Sequence, residues 1–468
     1  MRRVSRYMAA FAVLFCGFSL YAAWQAAQES AARSFDDMPI SLARGEGPSS
    51  AANADTQDRH ADIVKRGAYL TRIGDCAGCH TVDPARPFAG GKPVDLPFGR
   101  LYTPNLTPDT ATGIGAWSEA DFLRAMHEGV GRDGERLYPA FPYVEFTRLS
   151  DEDVLAIRAY LRTLAPIRYT PPANALPFPF NLRGLIALWN LLNFEPARFV
   201  PDPRQGAQYN RGAYLVEGLA HCEECHTPRD LTYGLSKTRR LSGGAQAGWQ
   251  AYNITPDRVS GIGGWSDDAL MDYLTTGVAA SHASAAGPMA GIVQNATQYL
   301  TPEDLRAISV FLRAQPGVRN REDVKGMRSR DTFGEPAIDD VTTLRGNAVS
   351  NVSGAQLFVA NCASCHRWTG AGVGGRAAAG AAAGAAGAYP PLIHNSTVGA
   401  SSADNLAMVI LHGVRRQTKS ADVLMPPFAD ELDDAQIAAL ANYVTKRFGN
   451  PATTIAASRV AALRAQAQ

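Results

Sequence analysis

The sequence predicts a mainly α-helical protein built as three tandem units of one design, preceded by an N-terminal signal or anchor helix. Three observations lead there. The motif C-x-x-C-H occurs three times: "CAGCH" (Cys76, Cys79, His80), "CEECH" (Cys222, Cys225, His226) and "CASCH" (Cys362, Cys365, His366). The residues around the first two copies align over long stretches, which marks an internal repeat. Each copy is followed by a segment with apolar residues at helical spacing that closes the unit.

From the N-terminus, Arg2, Arg3 and Arg6 precede an uncharged run from Tyr7 to Ala27. A secretory core has about 7–15 apolar residues and a spanning helix about 20. Residues 1–30 therefore read as a signal peptide or signal anchor that leaves the arginines inside and exports the body. Residues 31–60 read as a linker. In the first unit (61–165), "KRGAYLTRIGDCAGCHT" (65–81) leads to "NLTPDTATGIGAWSEADFLRAMHEGV" (105–130). The closing helix is "LSDEDVLAIRAYLRTL" (149–164), with Val154, Ile157, Tyr160 and Leu161 on one stripe. Residues 166–208 form a proline-rich linker holding "NLRGLIALWNLLNF" (181–194). That helix, apolar on most sides, suits a packing strut or a contact for a partner or a membrane surface. The second unit (209–316) repeats the order, with "NRGAYLVEGLAHCEECHT" (210–227), "NITPDRVSGIGGWSDDALMDYLTTGV" (253–278) and "LTPEDLRAISVFLRAQ" (300–315). Residues 317–350 are a polar, charged linker. The third unit (351–449) diverges but keeps "GAQLFVANCASCHR" (354–367), "MVILHGVRR" (408–416) and "LDDAQIAALANYVTKR" (432–447), with a flexible Gly/Ala-rich loop from Gly370 to Ala388. Residues 450–468 read as a C-terminal tail.

Composition narrows the function. With 45 basic and 44 acidic residues and no charged block, nucleic acid is excluded as the main partner. Six of the seven cysteines sit in the motifs, so none remains for disulfides. The seventh, Cys16, follows bulky Phe15 in the leader and does not suit lipid attachment. C-x-x-C-H is the attachment signal of c-type heme: two thiols on one turn reach the two vinyl groups, and the histidine lies under the iron. A thioredoxin-like pair needs no histidine, and zinc needs two such pairs close together. Chance predicts roughly 0.002 copies from this composition, so three covalent heme c groups are expected. A unit of this length is small for a core of its own, and the porphyrin supplies the missing apolar mass. Helices wrapped around heme, with little sheet, is the c-type cytochrome fold.

Heme iron with one histidine has a second axial position, which electron-transfer cytochromes usually fill with methionine sulfur. Met289 follows His226, and Met425 follows His366, at nearly the same distance along the chain, both in loops before the closing helix. These are the expected ligands. The matching place after His80 holds Phe141, within "LYPAFPY" (137–143). Met126 and His127 lie nearby, but they are set opposite Tyr273 and Leu274 in the middle helix and read as ordinary helix residues. Heme 1 is then five-coordinate or ligated from elsewhere.

With "RGAYL" before the first two motifs, "NLTPD", "LYPAFPY" and "HCEECHTPR", the chain resembles the triple-heme cytochrome c subunits of membrane-bound bacterial dehydrogenases over roughly residues 60–450. The resemblance implies thioether attachment at the six motif cysteines, iron ligation by His80, His226, His366, Met289 and Met425, and no catalytic residue. It also implies a catalytic partner, which could be a quinoprotein, a flavoprotein or a molybdenum hydroxylase. Electrons would pass to ubiquinone on the periplasmic side of the inner membrane, with the subunit tethered or peripheral. Alcohol dehydrogenase subunits of this kind have methionine where Phe141 stands, so the phenylalanine version looks more like the cytochromes of molybdenum hydroxylases. The alternatives are a heme enzyme using an open iron at heme 1, with His127 and Glu128 as acid–base pair, and a free electron shuttle.

Overall fold

A glycine before each motif lets a second helix cross at close range. The computed structural model describes residues 50–323, 328–334, 354–372 and 389–466, with side chains from residue 58. The expected signal or anchor (1–30), the start of the linker after it and most of the Gly/Ala run lie outside the described residues. In the first unit, α1 (Ser50–Ile73) leads into the motif helix α2 (Cys76–His80). A hairpin β1 (Pro93–Leu96) and β2 (Gly99–Tyr102), the middle helix α3 (Glu119–Glu128), a short α4 (Tyr143–Phe146) and the closing helix α5 (Asp151–Leu161) follow. A linker helix α6 (Gly184–Asn193) precedes the second unit, which contains α7 (Ala207–Tyr214), α8 (Glu223–His226), β3 (Gly244–Gln246) and β4 (Trp249–Ala251). It continues with α9 (Asp267–Thr276), β5 (Val278–Ala279), β6 (Ala283–Ser284), α10 (Gly287–Asn295) and α11 (Pro302–Arg313). The third has α12 (Gly354–Asn361), α13 (Ala363–His366), α14 (Asp404–His412), β7 (Val414–Gln417), β8 (Asp422–Met425), α15 (Asp434–Phe448) and α16 (Ala457–Gln466). The chain is thus mainly helical, and its described strands pair only as two-stranded hairpins.

The same crossing recurs three times. A Cβ on Gly67 would lie 1.8 Å from the Ala156 carbonyl, one on Gly212 2.0 Å from that of Ala307, and one on Gly354 2.1 Å from that of Ala439. Only glycine permits backbone approach this close. One turn further along each closing helix an aromatic side chain, Tyr160, Phe311 or Tyr443, packs over the same glycine. Each closing helix is started by a side-chain cap, from Ser150, Thr301 and Asp433 respectively, as their acidic first turns favour.

The repeated "RGAYL" ties the first two units to each other. Arg66 pairs with Asp153 of its own closing helix at 2.5 Å, and Arg211 pairs with Asp304 at 2.7 Å. The tyrosines exchange: Tyr214 donates to Asp153 and Tyr69 to Asp304, each at 2.6 Å. Both carboxylates are buried, and five charge-assisted hydrogen bonds, two of them from Arg211, hold what would otherwise be two costly charges. The two units share one apolar core, including Leu70, Leu149, Leu215 and Phe311, while the third unit builds its own around Phe358, Leu411, Ile437 and Phe448.

Two segments differ from expectation, and a third, the linker helix, agrees with both of its expected roles. The stretch expected as a tail contains α16, whose Val460 and Leu463 are fully buried in the third core. Part of the polar linker is packed down: the Asn253 amide donates to the Val318 carbonyl at 2.7 Å. Helix α6 buries only Ile186 and Asn190, and Leu185, Leu188, Leu191 and Leu192 are exposed, up to 79% at Leu191. It does join the first two units, through Asn190 to the Tyr143 hydroxyl and Trp189 to the Thr232 carbonyl. Among the described residues no helix is long and apolar enough to cross a membrane.

Candidate heme sites

In all three units the motif forms one helical turn after the crossing helix, which in the second unit continues first as a π-helical turn (Leu215–Leu219), and this places both thiols and the histidine on a short rigid element. Asp75 and His221, which precede the first cysteine of their motifs, hold left-handed backbone (φ 48° and 36°) that turns the chain sharply into the motif. The motif histidines share one arrangement. Nδ1 of His80 contacts the Pro104 carbonyl at 2.8 Å, that of His226 the Tyr252 carbonyl at 2.6 Å, and that of His366 the Pro390 carbonyl at 3.0 Å. A carbonyl can only accept, so Nδ1 carries the proton and Nε2 presents a bare lone pair. Burial favours this neutral form: it pushes His80 down to about 4 and lowers His226 and His366 as well. Oriented neutral imidazoles with a second-shell carbonyl are what iron ligation requires. Burial also pushes five of the thiols up, Cys76 and Cys222 to about 12, Cys225 and Cys362 to about 11, and Cys79 in the same direction, and all six motif thiols are free. The donor set therefore fits covalent heme at each motif.

The third unit shows the site volume directly. A cavity of about 400 Å³ is lined by Cys362, Cys365 and His366 together with Met425, Val414 and Leu440. His366 and Met425 thus face one space. Met425 stands on strand β8, not in a loop, where Pro426 and Pro427 end the strand.

In the other two units the pairing after the middle helix fixes the correspondence. Leu137 and Ala285 donate to the carbonyls of Gly129 and Gly277, both at 2.7 Å, and Val130 and Val278 bridge to Arg136 and Ser284. Five residues past each bridge stand Phe141 and Met289. They are structural equivalents, as the sequence offset suggests. Met289, expected in a loop, lies in the first turn of α10, which Pro288 opens. Phe141 instead joins an aromatic cluster, 5.6 Å from the Phe146 ring and 6.4 Å from that of Tyr143. Met425 does not share this position: it is itself the residue paired with Val414, so the similar offsets conceal a different route to the site.

The middle-helix correspondence needs correction by one residue. Caps Ser118 and Gly129 match Ser266 and Gly277, so Met126 corresponds to Leu274 and His127 to Thr275. Met126 is buried in the shared core. His127 is 1% exposed, its Nδ1 3.6 Å from Asp151, while Glu128 is exposed on another face. The two do not form an acid–base pair. Between the first two sites, Glu145 is buried beside Glu224, and burial first and that carboxyl second hold it well above the usual carboxylate range. The Phe146 and His221 rings meet there at 5.6 Å, and His221 Nε2 lies 3.3 Å from the Gly74 carbonyl, so the two motif turns are neighbours.

The cytochrome c family profile matches residues 64–165 and 352–447. The chain is 38% identical over 419 residues to the fructose dehydrogenase cytochrome subunit of Gluconobacter japonicus, covering 87% of this chain and 83% of that protein. It is 36% identical over 429 residues to the gluconate 2-dehydrogenase cytochrome c subunit of Pantoea cypripedii, covering 88% and 92%. It is also 40% identical over 409 residues to one subunit of the nicotinate dehydrogenase of Pseudomonas putida, covering 86% of this chain but 32% of that longer protein. With heme c the cofactor its family implies and electron transfer the activity, the chain belongs to the cytochrome c subunits of membrane dehydrogenases.

Proposed function

We propose that the protein is a three-heme relay, the middle unit being a cytochrome c domain like its neighbours, which takes electrons from a catalytic dehydrogenase subunit and delivers them to ubiquinone. The observation that carries this is the threefold recurrence of a neutral motif histidine anchored through Nδ1 to a carbonyl 24 to 26 residues downstream (80 to 104, 226 to 252, 366 to 390). Cys76, Cys79, Cys222, Cys225, Cys362 and Cys365 would hold the porphyrins, His80, His226 and His366 one axial position, and Met289 and Met425 two of the opposite ones. When bound, each heme supplies a one-electron Fe(III)/Fe(II) couple. The chain's part is to fix the imidazole tautomer, exclude water and set each potential through what stands opposite the histidine. The relatives' names, subunits of fructose, gluconate and nicotinate dehydrogenases, support a catalytic partner. The exposed leucines of α6 offer an attachment surface for it or for the periplasmic face of the membrane.

Purification from native membranes tests the reading. A dehydrogenase subunit should co-purify, and the complex should reduce a ubiquinone analogue with its substrate. Met289→Leu or Met425→Leu should slow that step while dye-linked oxidation by the partner survives. A chain that isolates alone from membranes and carries no quinone reductase activity with any co-expressed dehydrogenase would contradict it.

A further inference from the structure

Two arginines from outside the middle unit end inside it. Arg416 belongs to β7 of the third unit, yet its side chain is fully buried against Gly277, the C-cap of α9, and donates to the Ala285 carbonyl. Its Nε and Nη2 have no partner among the described residues. Val414, Val423 and Met425 line the third unit's cavity; Arg416 shares their face of the hairpin but is not part of that lining and lies against the loop that leads to Met289. Ser284 and Ala286 line that third cavity too, so Ala285 stands in the wall between the two sites.

Arg330 comes from the segment joining the middle and third units. It lies over the Tyr252 ring at 4.5 Å and donates to the carbonyls of Ser260 (2.5 Å) and Asn253 (3.2 Å). Its Nε is shielded from water and unpaired among the described residues. Tyr252 is the residue whose carbonyl fixes His226. The neighbouring acids do not satisfy it: Asp331 binds His282 at 2.7 Å and the Ser329 hydroxyl, and Asp323 acts only through space. Tyr273, on α9, feels both guanidinium groups.

Arginine cannot shed its proton, and a buried guanidinium without an anion is strongly disfavoured. Two of them converging on one unit call for negative charge beyond what Asp323 and Asp331 supply to Arg330 through space. Heme c brings two propionate carboxylates, whose planar geometry matches the guanidinium fork. We propose that Arg416 and Arg330 receive the propionates of the heme attached at Cys222 and Cys225. This rests on the reading that the middle unit holds a heme. The equivalent place in the first unit, over Gly129, is filled by the Tyr143 ring, which is neutral and bonded to Asn190. The middle heme would therefore be the one whose charge balance depends on the third unit being docked.

The test uses the full chain with Arg416→Gln, Arg416→Lys and Arg330→Gln, hemes counted first. Wild type and variants should each carry three. Arg416→Gln should lower the midpoint potential of one heme, because a cation that disfavours ferric iron is gone, and shift the propionate bending mode in the resonance Raman difference spectrum. Arg416→Lys, which keeps the charge but loses the fork, should restore the potential more than the Raman mode. Three hemes with unchanged potentials and an unchanged bending mode in both glutamine variants would overturn the proposal. Only two hemes in the wild type would instead remove the reading beneath it. If Arg416→Gln does not retain heme, the lysine variant decides, and an unmoved bending mode there overturns the proposal.

Discussion

Replacing Phe141 by methionine puts sulfur at the position that Met289 holds in the middle unit, five residues past an equivalent bridge. The change keeps the volume nearly constant, and such swaps usually cost less than about 1.5 kcal/mol. The cost can be worked from the ring contacts. Phe141 gives up two aromatic neighbours, Phe146 at 5.6 Å and Tyr143 at 6.4 Å, each pair worth about 0.5–1.5 kcal/mol. Sulfur–aromatic contacts return about 0.3–1.5 kcal/mol, leaving a net loss of roughly 1 kcal/mol, which should not unfold the unit. The redox effect should exceed the structural one. Every tenfold preference of the new sulfur ligand for ferrous over ferric iron raises a one-electron potential by about 59 mV. Wild-type protein should therefore show one heme unlike the other two, high-spin or otherwise ligated, and lowest in potential. Phe141→Met should convert it to a low-spin His/Met signal in paramagnetic resonance, with an upward shift at that heme alone in a potentiometric titration. Three low-spin His/Met hemes in the wild type, or a variant whose spectra and potentials are unchanged, would refute the reasoning.

Gly212→Ala drives a Cβ to 2.0 Å from a backbone carbonyl that cannot yield, so it should cost about 1–3 kcal/mol or more and loosen heme in the middle unit first. Gly264→Ala meets nothing within 4 Å and should stay within about 0.5 kcal/mol in the same melts. Tyr214→Phe removes a hydrogen bond to the buried Asp153 carboxylate and should cost about 1.5–3 kcal/mol in denaturant unfolding, with Tyr69→Phe costing a similar amount at Asp304. His127 should show in the pH dependence. Burial first, then Arg198, lowers it to about 4, against about 6.5 unfolded, so the unfolded chain binds the extra proton between those values. Stability should be full above about pH 6.5 and decline toward pH 4 by up to about 3 kcal/mol, and His127→Leu should lose that part of the slope.

The parts of this molecule legible in its sequence are those whose physics is local. The heme motif needs two thiols and an imidazole on one turn, and the closing helices need an apolar stripe; both are written within a few residues of one another. The equivalence of Phe141 and Met289 was legible because two aligned repeats make the same turn. The strand position of Met425 was not, since a similar spacing from the motif histidine is satisfied by more than one path. The crossed tyrosines were invisible for a different reason: Tyr69 and Asp304 are 235 positions apart. The repetition of "RGAYL" was the available signal, for a repeated arginine and tyrosine both donate and can share carboxylate acceptors. Arg416 and Arg330 gave no signal at all, because their meaning lies in what fails to face them after folding. Helix α6 reads as apolar on most sides, yet only the fold shows that its leucines turn outward while Asn190 and Trp189 do the tethering.

The central claim is that one heme-binding design is used three times, and counting covalent heme on the mature chain tests it most directly. A pyridine hemochrome assay combined with the intact mass of the denatured chain should give three hemes per polypeptide. A Cys222→Ser, Cys225→Ser variant should carry two, with the spectra of the first and third units retained. Two hemes in the wild type, unchanged when the middle motif is removed, would contradict the account.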